Sequence, residues 1–315
     1  MKKKDMKNLM PIIVLTLKNS IREKTITNRL KLLKLNYKII YGVDGRNKEE
    51  RMYLNKRYNK FKSELSAQRK MSYEDIACSY GHLKIYQYIV KKKIETAIIM
   101  EDDCFPSKYF HNWLLIDKNF LKKYDIIQFT APRGFIYKKP INFFNNQFSL
   151  HKAKTKLPTT TCYQINMKAC KYILKITNKK VCGVADWPIN FLDLKIKQFF
   201  VLPIIASVHY NHIKSSFNKL LQLQILKRLK IKKFIPLYNI FVGFYYLLHF
   251  PYFLKFFNNY KYYQEEFLRV YITMFQNFFS GTFIDLEKIS LNQNLYIADL
   301  HNNVKKLKEN SQILS

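Results

Sequence analysis

At 315 residues, 48% of them hydrophobic, the chain can fill a sizeable core, which excludes a wholly disordered protein. It carries no solenoid-length repeat and no Pro/Gly/Ser-rich linker. The formal net charge of +33 favours anionic partners such as nucleic acid, anionic lipid or phosphorylated glycan; an A/T-rich coding bias, which also enriches Asn, Ile, Phe and Tyr, accounts for it equally well.

The five cysteines, Cys78, Cys104, Cys162, Cys170 and Cys182, form no C-x-x-C pair and show no zinc spacing. They read as reduced, buried thiols of a cytosolic protein. The basic start, Met1-Lys2-Lys3-Lys4, precedes an apolar run at 11–17 that is only a strand long and has no small-residue cleavage site. No signal peptide is expected, which places the protein in the cytoplasm or on the cytoplasmic face of its membrane.

The run 11–17 reads as a buried parallel strand. Residues 21–34 have helical spacing, with Ile26, Leu30 and Leu33 on one side. Residues 37–41 predict a second strand, closed by Gly42-Val43-Asp44-Gly45. A β-α-β start implies a parallel sheet with right-handed crossovers. Residues 46–71 read as a loop with some helix. Ser72-Tyr73-Glu74-Asp75 resembles a capping box with Asp in the third place, and Ile76, Tyr80, Leu83 and Val90 carry a helix over 73–93. A buried strand at 96–100 runs straight into Glu101-Asp102-Asp103. Residues 125–130 predict another strand and 131–158 an irregular stretch. A strand at 159–166, a helix at 167–177 and a last strand at 198–205 complete an α/β domain over 8–212.

The acidic trio is the most informative feature. Carboxylates at the carboxyl edge of a parallel sheet lie where open α/β folds bind ligands. They repel one another unless a cation or donors compensate. A hard divalent cation, Mg²⁺ or Mn²⁺, suits one or two carboxylates plus phosphate oxygens, and would neutralise charge on a departing diphosphate. A solvated cluster at a helix start is the plainer reading.

Several stretches together resemble glycosyltransferase family 25, the bacterial lipooligosaccharide galactosyltransferases. They are Ile13 to Leu17 with Arg22, Val43-Asp44-Gly45, Cys78-Ser79-Tyr80-Gly81-His82-Leu83 and Ala97 to Asp103. Weaker matches are Thr161 to Ile165 and Asp186. Thr16, Ala77, Gly81 and Asp75 stand where the family usually has Asn, Gly, Ser and Glu. The resemblance implies a GT-A-type, Rossmann-like, mostly parallel sheet flanked by helices. It also implies a UDP-sugar donor, a divalent metal (Mn²⁺ or Mg²⁺) and transfer of a hexose, galactose first, to a lipid-linked surface glycan. The roles expected are metal contact by Glu101 and Asp103, and donor binding by Asp102, Arg22, Asp44 and His82. Asp186 is the candidate general base of an inverting transfer. For Asp44-Gly45 a turn, for His82 a core position and for Asp186 a helix cap are equal rivals. His209 and His212 are candidates to complete a metal shell, with incidental placement as the commoner reading.

Residues 213–315 read as a separate basic, aromatic helical extension. Between 214 and 233, Lys214, Lys219, Lys227, Arg228, Lys230, Lys232 and Lys233 flank a leucine stripe; 234–254 carry no charged side chain apart from a protonated His249. This pattern suits peripheral attachment to an anionic inner-membrane surface or a helical subdomain packed on the catalytic one. A nucleic-acid-binding protein and an inactive transferase-fold scaffold are the rival functions; without a nucleic-acid motif, no nucleic-acid partner is expected.

Overall fold

The computed structural model describes residues 9–67, 70–130, 134–144, 147–155, 157–185, 196–208 and 283–285. In chain order its elements are β1 (Ile12–Thr16), α1 (Ile21–Leu32), β2 (Tyr37–Tyr41), α2 (Lys48–Asn55), α3 (Lys60–Ala67), α4 (Tyr73–Lys91), β3 (Thr96–Glu101), β4 (Cys104–Pro106), α5 (Phe110–Leu114) and α6 (Lys118–Leu121). There follow β5 (Ile126–Gln128), β6 (Phe135–Tyr137), β7 (Asn142–Phe144), β8 (Phe148–Lys152), β9 (Cys162–Asn166), α7 (Met167–Ile176), β10 (Gln198–Leu202), β11 (Ala206–Val208) and β12 (Phe283–Asp285).

An eight-stranded sheet in the order β2-β1-β3-β9-β5-β10-β8-β7 forms the centre. β1 pairs in parallel with β2 and β3, and β10 with β5. β9 runs antiparallel between β3 and β5, and β8 antiparallel between β10 and β7. The sheet is therefore mixed but largely parallel in direction.

Alternation along the buried strands supplies two cores. Ile12 and Val14 of β1 with Ile98 and Met100 of β3 face Ile26 and Leu30 of α1 and Phe110 and Trp113 of α5. Ile13 and Leu15, with Ala97 and Ile99, face α4 and α7 through Ile76, Leu83, Tyr86 and Ile173. A strand buried on both faces must be apolar throughout, as Ile12 to Leu15 are.

α4 starts where the capping box places it. The Ser72 hydroxyl accepts from the Asp75 N–H at 3.1 Å, and the Asp75 carboxylate accepts from the Ser72 N–H at 2.9 Å. Two glycines let this helix sit close. A Cβ on Gly45 would lie 2.3 Å from the Tyr73 carbonyl oxygen, and one on Gly81 would lie 2.9 Å from both Leu15 methyls.

The stretch 131–158 departs from the sequence reading. It holds β6, β7 and β8, with β7 and β8 paired as an antiparallel edge hairpin. The strand at 198–205 stops at Leu202, and β11 follows it to pair with β4 beside the acidic trio. Within 213–315 the described piece is β12, which pairs antiparallel with β6. The remaining residues of that extension, 214–257 among them, lie outside the described residues. Among the described residues no helix is long and apolar enough to cross a membrane.

Candidate active site

Glu101 is the last residue of β3, and Asp102 and Asp103 make the turn that leaves it. Asp102 is held from the neighbouring β1–α1 unit. The Thr16 hydroxyl donates to its Oδ2 at 2.8 Å, and Arg22 Nη1 donates to its Oδ1 at 3.3 Å. Parallel pairing of β1 with β3 brings these groups together, because it aligns the two carboxyl ends.

Glu101 is held from α4 and from the segment that leads into β9. His82 Nε2 lies 3.1 Å from its Oε1, and the Thr160 hydroxyl donates to the same oxygen at 2.5 Å. Oε2 carries neither bond. Thr160 reaches it because β9 runs antiparallel to β3: Cys162 pairs with Met100, and the Glu101 N–H donates to the Thr161 carbonyl at 2.9 Å. The other ring nitrogen of His82, Nδ1, lies 2.8 Å from the Tyr163 hydroxyl, which lies 2.8 Å from that of Tyr86. A hydrogen-bonded chain thus runs from Tyr86 inside the core to Glu101 at the rim. Cys78, one helical turn before His82, places a ligand atom within 4.8 Å of ligand atoms of both His82 and Glu101.

The three carboxyls differ in charge environment. Burial alone would push Glu101 up; the His82 hydrogen bond and charge, the Thr160 hydroxyl and the Arg22 cation outweigh it and hold the group below its ordinary value. Burial raises Asp102, and its bonds to Thr16 and Arg22 offset only part of that. Asp103 is pushed up to about 7, first by burial and then by the charges of Glu101 and Asp102. Its Oδ1 is buried without a hydrogen-bond partner among the described residues.

Of the residues singled out in the sequence, Arg22, His82, Glu101, Asp102 and Asp103 meet at the end of β3. Asp44 does not join them directly. It takes two hydrogen bonds from the Arg46 guanidinium, at 2.8 and 2.7 Å, in the turn before α2. Arg46 holds its carboxyl below the ordinary value, which accords with the turn reading. Asp186, His209 and His212 lie outside the described residues. Thr160 and Tyr86 carry no sequence signal for a site, since their roles arise from strand pairing and from helix packing.

The donor set suits a hard cation. Oxygen ligands dominate the shells of Mg²⁺ and Mn²⁺, and a buried carboxylate oxygen with no donor, beside two further carboxylates, is the environment such an ion relieves.

Fold and site together define an α/β protein with three carboxylates at the carboxyl end of a central strand. The model of glycosyltransferase family 25, described as an LPS biosynthesis protein, matches residues 10–188, more than half of the chain. The chain belongs to that family and is a glycosyltransferase of lipopolysaccharide biosynthesis. No curated protein matches it. Among solved structures it is similar to one titled mannose-1-phosphate geranyltransferase, from Thermus thermophilus. Identity is 6%, with 61% of this chain and 74% of that chain covered at a TM-score of 0.31, a likeness too distant to bear on function.

Proposed function

We propose that this enzyme is a GT-A-type, inverting hexosyltransferase. It takes galactose from a UDP-sugar and adds it to a lipid-linked oligosaccharide at the cytoplasmic face of the inner membrane, where it attaches peripherally. The observation that carries the reading is Asp103: a buried carboxylate oxygen that has no donor among the described residues, in a carboxyl cluster at the carboxyl edge of the sheet. Asp103 and Glu101 would hold a divalent cation, Mn²⁺ or Mg²⁺, which would supply charge neutralisation for a diphosphate leaving group.

The protein's own groups do the rest. Arg22 and Thr16 hold Asp102 in one orientation, which lets that carboxylate meet a ribose or sugar hydroxyl. His82 and Thr160 both engage Oε1 of Glu101, so Oε2 can point elsewhere. The acceptor hydroxyl must lose a proton as the donor's glycosidic bond breaks, and Asp186 is the carboxylate assigned to take it.

A screen of UDP-sugars for Mn²⁺-dependent elevation of the unfolding midpoint tests the donor, since a ligand of the native state stabilises it. UDP-galactose should give the largest rise. Asp103→Ala should keep its fold, lose that rise and lose transfer. Full turnover by Asp103→Ala would remove the metal assignment.

A further inference from the structure

We propose that Cys78, His82 and Glu101 form a binding site for one borderline-soft divalent ion such as Zn²⁺, distinct in chemistry from the all-oxygen site proposed above. Among the described residues these three form the one group of histidine, cysteine and acidic side chains whose ligand atoms converge, all within 4.8 Å of one another. The sequence hides it, because a metal spacing within the cysteines is absent and the third ligand comes from another element.

The geometry is close to a binding one. Cys78 and His82 stand four residues apart on α4, so their side chains share a face of the helix. Zinc bonds of about 2.0–2.1 Å to nitrogen and oxygen place two tetrahedral ligands about 3.3 Å apart. His82 Nε2 and Glu101 Oε1 are already separated by 3.1 Å. The thiol needs only a short approach, and binding expels its proton to solvent, since the thiolate is the ligand.

The surroundings are those that zinc-bound imidazoles have. A ligating histidine presents its second nitrogen to a fixed partner. Here Nδ1 faces the Tyr163 hydroxyl at 2.8 Å, and Tyr163 faces Tyr86 at 2.8 Å. Hydroxyls can donate in either direction along this chain, so it accommodates the tautomer with the proton on Nδ1. The Thr160 hydroxyl fixes Glu101, and His82 is 2% exposed, so the ligands are held before any ion arrives. A thiolate, an imidazole and a carboxylate select Zn²⁺ or Co²⁺ over Mg²⁺.

Binding rests on these three ligands and the hydroxyls that hold them, and not on the proposed function. Its consequence rests on the proposed function: an ion held here withdraws Glu101 from the carboxyl cluster, so Zn²⁺ should inhibit Mn²⁺-dependent transfer.

The test uses the full-length, metal-stripped protein titrated with Co²⁺. An intense near-ultraviolet thiolate-to-cobalt band should grow to one equivalent and be bleached by one equivalent of Zn²⁺. Cys78→Ser and Cys78→Ala should lose the band, and Cys182→Ser should keep it. Tyr163→Phe should weaken Zn²⁺ binding by about 10- to 100-fold in competition with a chromophoric chelator. In the wild-type chain, Zn²⁺ should protect Cys78 from alkylation, read by peptide mass spectrometry. No band, a band that survives in either Cys78 variant, or equal alkylation with and without Zn²⁺ overturns the proposal. A cobalt band in a protein with no Mn²⁺-dependent UDP-sugar binding leaves this site standing and removes the proposed donor chemistry.

Discussion

His82 Nε2 lies 3.1 Å from Glu101 Oε1, with the imidazole buried and the carboxylate side chain 20% exposed. The pair joins the middle of α4 to the end of β3, so one hydrogen bond links a core helix to the rim of the site. Glu101 is held below its ordinary value despite burial. A depressed acid contributes stability above its unfolded pKa and loses it as pH falls through the folded one. His82→Gln, which removes the imidazole from Glu101, should cost about 1–3 kcal/mol near neutral pH. It should also move the acid-side loss of stability to higher pH. Urea unfolding from pH 3 to pH 7 reads both; identical acid limbs in variant and wild type would show that the pair is energetically idle.

Asp103 gives the opposite sign. Its folded pKa is pushed up to about 7, by burial first and then by Glu101 and Asp102. Between the ordinary carboxyl value and about 7 the native state binds more protons than the unfolded chain, so metal-free stability falls as pH rises through that window. At about 1.4 kcal/mol per pKa unit the loss is up to about 4 kcal/mol. Asp103→Asn should flatten the slope and leave the chelator-treated protein more stable than wild type at pH 8. Mn²⁺ should raise the wild-type midpoint more at pH 8 than at pH 5. A wild-type stability in EDTA that rises steadily from pH 4 to pH 8 would exclude this ionisation.

How far the sequence reaches follows from the range of the contacts. β1, β3 and α4 are legible because each carries its own signal: an unbroken apolar run or a capped helical period. The trio after β3 is legible because its place at a strand end depends on that strand alone. Chain order brings Arg22 near the site, and parallel pairing puts it on Asp102. Thr160 is not legible, since its bond to Glu101 needs β9 to enter the sheet antiparallel, in a register no local pattern encodes. β6 and β7 are three residues each, too short to display alternation.

The close seat of α4 on the turn after β2 is expected to be sensitive at Gly45. A Cβ there would lie 2.3 Å from the Tyr73 carbonyl oxygen and 2.8 Å from the Glu74 nitrogen, and backbone atoms cannot swing aside as a side chain can. Gly45→Ala should therefore cost about 3 kcal/mol, at the upper end of overpacking. Ser72→Ala, which deletes the cap without a clash, should cost about 1 kcal/mol. Chemical denaturation of both variants checks the order. A Gly45→Ala protein as stable as wild type would mean that the turn relaxes without loss.

Arg22 separates binding from folding. Its guanidinium donates to Asp102 at 3.3 Å, and its charge also lowers the pKa values of Glu101 and Asp103. Arg22→Ala leaves Asp102 with the Thr16 hydroxyl as its remaining described partner and removes the cation that offsets the rise burial imposes on that carboxyl. If Asp102 orients the donor, UDP affinity in Mn²⁺ should fall by about 10-fold, the value of one charge-assisted hydrogen bond of roughly 1.4 kcal/mol. Arg22→Lys keeps the charge without the planar donor geometry, and should recover part of the affinity at pH 8. Calorimetric titration of UDP into the three proteins decides it. Equal affinities across the series would confine Arg22 to the surface of α1 and take Asp102 out of donor binding with it.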